Sequence, residues 1–132
     1  MSGESDPIHV YTRVEAIADG DLVDVTEAAQ EAGFAVPVAL TRAAWADCVE
    51  WDPEAADRSP MQDEATRLWD VLWMTRMAVR QIKDDAAMAL VQLFRVPPVD
   101  GAHEAVETHL FAQMGPGDEA EPVLTIMLPE EA

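Results

Sequence analysis

Apolar residues change their spacing once along this chain, after Asp84 and Asp85, where short helical and extended pieces give way to alternation. In the first part, Ile8 to Tyr11 (IHVY) is a short β-prone run. Thr12 can then cap a helix over 13–19, its side-chain oxygen accepting an orphan backbone N–H. Glu15 supplies the reciprocal carboxylate three residues on, and Gly20 closes the helix. Leu22, Val23 and Val25 form the next extended piece, and Thr26 opens a second helix through Ala32 with Gly33 as its stop. FAVPVAL, residues 34–40, is apolar but contains Pro37, which cannot donate to a ladder; this predicts an edge strand or an extended connector. Thr41 starts a third helix, to Glu50, and WDPEAADRSP (51–60) reads as a loop.

The longest periodic stretch spans Met61 to Lys83, with Leu68, Leu72, Val79 and Ile82 on one stripe and Trp69, Trp73 and Met77 beside it. So wide an apolar arc predicts a central helix packed on more than one side, with the i, i+4 tryptophan pair filling the core. Beyond it, 88–96, 105–114 and 123–128 are strand-like, separated by PPVDG and GPGDEAEP turns. In the middle run Val106, Thr108, Leu110 and Ala112 share one face, and Glu107, His109, Phe111 and Gln113 the other. The expected fold class is α+β: short N-terminal strands and helices, then one long central helix packed on a C-terminal three-stranded antiparallel meander. Residues 1–7 are expected as a flexible start, 8–129 as one compact domain and 130–132 as a flexible end.

Charge changes this picture most. Among 132 residues, 26 acids face eight bases, a formal charge of -18. That exceeds what solubility requires and opposes compaction by self-repulsion. With 49% apolar residues the chain can still bury a core. Phosphate backbones are bound largely by Lys and Arg, so direct nucleic-acid binding is disfavoured, as is an anionic membrane. The lone Cys48 excludes an internal disulfide, and the first residues lack a signal-peptide pattern, so a cytoplasmic setting is expected.

Candidate chemistry is sparse. Cys48 shares its helix with Trp45 and Val49, while His9, His103 and His109 lie on three other elements; a buried structural thiol outweighs a nucleophile. His103, Glu107 and His109 share a strand face, but the outer two are roughly 20 Å apart, too far for one ion. No P-loop is present, so no catalytic residue, metal or cofactor is assigned. Asp70, between Trp69 and Val71, is expected to pair with an arginine or to line a pocket.

The blocks IHVYTRVEAIADGDLVDV, PVALTRAAWADCVEW and RLWDVLWMTRMAVR, with the terminal VLTIMLP, resemble an uncharacterised family of small proteins of bacteria, plasmids and phages, a domain of unknown function. The resemblance implies a mobile-element setting and one compact domain. As a class, acidic proteins of mobile elements resemble inhibitors of defence nucleases, including anti-CRISPR and antirestriction proteins, whose carboxylates act as a DNA mimic on a basic groove. Two acid runs could form such a negative face: Glu15, Asp19, Asp21, Asp24, Glu27 and Glu31, then Asp47, Glu50, Asp52, Glu54 and Asp57. The expectation is a non-enzymatic binding protein that occupies a basic surface of a nuclease or CRISPR effector complex. The alternative is a small enzyme or ligand-binding module with a tryptophan-lined pocket at Tyr11, Arg13, Trp69, Asp70 and Trp73. A homodimer is compatible with either.

Overall fold

A computed structural model describes residues 10–52, 54, 62–82 and 88–132. Their elements are α1 (Arg13–Asp19), β1 (Leu22–Asp24), α2 (Thr26–Glu31), β2 (Val38–Thr41), α3 (Arg42–Cys48), α4 (Glu64–Arg80), β3 (Met88–Arg95), β4 (Val106–Pro116) and β5 (Pro122–Met127), followed by a 3-10 turn, Pro129–Glu131. The chain is α+β, with one five-stranded mixed sheet in the order β1-β2-β5-β4-β3.

Local chemistry sets the element ends. Thr12 and Glu15 form the reciprocal capping box of α1, and Gly20 closes that helix at φ +86°, where a Cβ would be strained. Thr41 and Asp63 cap α3 and α4 through the N–H groups of Ala44 and Thr66. Gly33, at φ +101°, ends the α2 region, and the Arg76 guanidinium lies where its Cβ would be.

The predicted meander is present: β3 pairs with β4, and β4 with β5, both antiparallel. In β4, Leu110 and Ala112 are buried while Glu107, His109 and Gln113 are exposed, as alternation requires. Two further strands extend it. β2 runs parallel to β5, with Val38 opposite Leu124 and Leu40 opposite Ile126, and β1 pairs antiparallel outside β2. Residues 38–41 therefore form an interior strand, not an edge or a connector. Pro37 sits just before β2, where its missing N–H costs no ladder bond and its carbonyl accepts from Leu124.

The core combines Val38, Leu40, Leu110, Leu124 and Ile126 of the sheet with Val49, Val71 and Leu72. Full burial of each such side chain is worth about 1.5–3 kcal/mol. Val38, Ala39 and Leu40 are all buried, so β2 is covered on both faces. Arg13 of α1 donates to the Thr125 hydroxyl, on the face opposite Leu124 and Ile126, which places α1 behind this part of the sheet.

The long helix differs from its expectation. It spans 17 residues, 64–80, and packs chiefly along β3 at one end of the sheet rather than at the centre. Its buried positions are Arg67, Val71, Leu72 and Thr75, while Trp69 and Trp73 are 43% and 41% exposed. Arg67, Val71 and Thr75 follow the i, i+4 row, so polar residues occupy half of the buried stripe and the apolar tryptophans face out. The partners of Arg67 explain this inversion. Its Nε donates to the Val49 carbonyl at 3.1 Å and its Nη1 to the Val96 carbonyl at 3.0 Å, and the guanidinium lies 4.7 Å from the centre of the Trp51 ring. One cation thus ties α3 to the end of β3. Val10 and Tyr11 of the first β-prone run are not in a strand; Ile8, His9 and most of the 51–60 loop, including Asp57, lie outside the described residues.

Candidate functional site

Acids of the first run gather around α1 and β1. Tyr11 Oη lies 2.8 Å from Asp19 Oδ2 and 2.7 Å from Asp21 Oδ2. A phenol carries one proton and donates to one carboxylate at a time, so the hydroxyl links two like charges that would otherwise repel. The hydrogen bonds to Asp21 and Asp19 push the tyrosine pKa well above its ordinary value. Asp24 accepts from the Thr26 hydroxyl and N–H at the start of α2, and Glu15 is held in the capping box. Glu27 and Glu31 are exposed on α2.

The β4–β5 hairpin adds acids that sequence spacing does not place here. Asp118 Oδ1 accepts from the Arg13 N–H at 2.7 Å and Oδ2 from the Val14 N–H at 3.0 Å, capping α1 across more than a hundred residues. Asp24, Asp118 and Glu121 all act on Arg13, whose own pKa is pulled down by burial and raised again by these carboxylates. The end of the molecule formed by α1, β1 and the hairpin is therefore anionic, and its arginine is half-buried and engaged.

The second run is organised differently. Both Asp47 carboxylate oxygens accept from Arg95 Nη2, at 3.0 and 3.1 Å, and Glu50 pairs with Arg42 at 3.2 Å. Asp52 accepts from the Glu54 N–H. This run therefore does not continue the first as free negative charge: the partly buried Arg95 requires a counter-ion, and Asp47 supplies it.

The pocket expected from Tyr11, Arg13, Trp69, Asp70 and Trp73 divides in two. Tyr11 and Arg13 line a groove with Asp118, whereas Asp70 and Trp73 line another with Met74 and Phe94. The cause is the placement of α4, which lies against β3 at the far end of the sheet from α1. Trp69 and Trp73 stack on each other, centroids 6.0 Å apart and planes 15° from parallel, on the outer side of α4. Among the described residues Asp70 makes no ion pair; burial raises its pKa, and nearby Arg67 opposes the rise.

Cys48 is buried, and desolvation together with the Asp47 charge pushes its thiol up to about 12. His109 pairs with Glu107 at 3.0 Å on the exposed strand face, and His103 is exposed in the β3–β4 connection. Among the described residues no group of three His, Cys, Asp or Glu side chains could hold a metal ion. Nor is any helix among them long and apolar enough to cross a membrane.

A family model covers residues 2–132. The chain belongs to the Family of unknown function (DUF6573). No curated protein and no solved structure matches it.

Proposed function

We propose that this chain is a non-enzymatic binding protein whose anionic surface occupies a basic surface of a partner that otherwise holds nucleic acid. The observation that carries it is where the cations go. Arg13 serves Thr125 and the Leu124 carbonyl, Arg67 is buried among backbone carbonyls, Arg95 is held by Asp47, Arg42 pairs with Glu50, and Arg76 lies against Gly33. With Arg13, Arg67 and Arg95 engaged inside the fold, few of the eight bases are left to offset the 26 acids at the surface, and the formal net charge is -18. Carboxylates set around α1, β1 and the β4–β5 hairpin then compete with phosphates for Arg- and Lys-lined grooves. An inhibitor of a defence nuclease, of the anti-CRISPR or antirestriction kind carried by phages and other mobile elements, is the form of this activity that the charge fits best.

The test is capture from a bacterial lysate at low salt, elution by rising salt, and competition by duplex DNA. The comparison variant carries Asp19→Asn, Asp21→Asn, Glu27→Gln and Glu31→Gln, which keep hydrogen-bonding capacity and remove four charges. Nucleic-acid-binding proteins should be captured, displaced by duplex DNA, and lost by the variant. Identical capture and salt elution by the variant would refute the proposal.

A further inference from the structure

Strand β3 ends the sheet, and β4 pairs with all eight of its residues on one side only. Its other side is a free main-chain edge among the described residues. Edges of this length are ordinarily blunted by a proline, a lysine or a bulge. The segment MALVQLFR has no proline and no lysine, and its register with β4 is uninterrupted. The opposite edge of the sheet, β1, is only three residues long.

Apolar side chains flank the free edge on both sides. Leu90 and Phe94 are 52% and 65% exposed on the outer face of the sheet. On the other side α4 presents the stacked Trp69–Trp73 pair and Met74. Trp73, Met74, Leu93 and Phe94 wall a groove of about 370 Å³, and a second groove that shares Met74 and Gln92 with it is lined by Met77 and Leu90. Stacked indoles form a wall already ordered before anything binds, which lowers the entropy cost of association.

Charge decides the occupant. A second copy would bring another -18 to the contact. The ionisable side chain lining the groove is Asp70, which has no hydrogen-bond partner among the described residues. On the outer face Glu107 lies beside Gln92, with 3.3 Å between its Oε2 and the amide nitrogen. Carboxylates therefore stand on either side of the edge, Glu107 also pairing with His109, while Arg95 at the end of β3 is held by Asp47.

We propose that the β3 edge accepts an added β-strand from a partner protein, an extended basic segment with apolar side chains toward Trp73 and Met74 and Lys or Arg near Asp70 and Glu107. Main-chain pairing supplies affinity, and the pockets on either side select the sequence. The assignment rests on the anionic reading above for the sign of the partner and goes beyond it in naming the surface and the mode of binding.

The probe is a nine-residue peptide alternating Lys and Val, with two controls: Glu in place of Lys, and proline at two of the Val positions. Amide hydrogen exchange and tryptophan fluorescence report on the intact chain. The Lys peptide should add protection to those β3 amides that do not face β4, and it should shift the tryptophan emission. Both controls should fail to bind. Trp73→Ala leaves the net charge unchanged and should weaken binding at least tenfold, and Asp70→Asn should reduce its salt dependence. Absence of binding, binding without β3 protection, or indifference to Trp73→Ala would overturn the edge assignment. Protection of the same amides by self-association in sedimentation would also overturn it, because the occupant would then be a second copy. DNA-competed capture lost on neutralising the α1–β1 acids but intact in Trp73→Ala would leave the proposed function standing without the edge. The reverse pattern would sink that function alone.

Discussion

Replacing Arg67 by methionine tests whether the fold depends on a buried cation. Methionine retains an apolar stem of similar length and removes the guanidinium. The Val49 and Val96 carbonyls then lose donors at 3.1 and 3.0 Å in a buried setting, and the Trp51 ring loses the cation 4.7 Å away. Each stranded carbonyl costs about 1–2 kcal/mol and the ring contact about 1 kcal/mol, partly offset because no charge need be desolvated. A net loss of about 3 kcal/mol is expected, equivalent to a fall of about 12 °C in Tm for a chain of this size. Arg67→Lys keeps the charge but cannot span both carbonyls, so about half that loss is expected. Urea denaturation followed by tryptophan fluorescence gives both values, with an unchanged m-value as the check that only stability has moved. A loss below about 1 kcal/mol in Arg67→Met at unchanged m would refute the idea that this residue holds α3 to the end of β3.

Asp70→Asn should stabilise the fold at neutral pH. Burial raises the folded-state pKa of this carboxyl above its unfolded value. The folded state therefore binds the proton more tightly, and stability falls as pH rises from the ordinary aspartate value through the raised one. The gain in the variant should vanish below that window in denaturation series run across acid pH; a gain that persists unchanged there would contradict the assignment. Thr75 is fully buried and its hydroxyl has no partner among the described residues, so Thr75→Val should raise stability by about 1 kcal/mol, and a loss would show that the hydroxyl is satisfied. Cys48 should resist a thiol-directed maleimide at pH 8 until the chain is unfolded, because its thiol is buried and pushed up to about 12. Rapid labelling of the native chain would overturn its structural role.

The features legible in the amino-acid order are those completed within a few residues along the chain. The Thr12–Glu15 box, the Thr41 cap and the Gly20 stop are complete in short segments, and α1 and α3 begin where those residues say. The alternation of β4 likewise announced Leu110 and Ala112 as inward and Glu107 and His109 as outward. The candidate site was legible only in part: the acids around α1 and β1 were visible as a dense run, but neither Asp118 nor the exposed β3 edge was. Those features depend on contacts between distant segments. The β2–β5 pairing and the Asp118 cap join segments more than 80 residues apart, and no local spacing carries such pairings. Tertiary structure also chose which side of α4 is buried. Hydropathy ranks tryptophan above arginine for the interior, yet the Val49 and Val96 carbonyls and the Trp51 ring form a polar socket that only the Arg67 side of the helix can fill. Once that side is inward, helical geometry turns Trp69 and Trp73 toward solvent, where they flank the open strand.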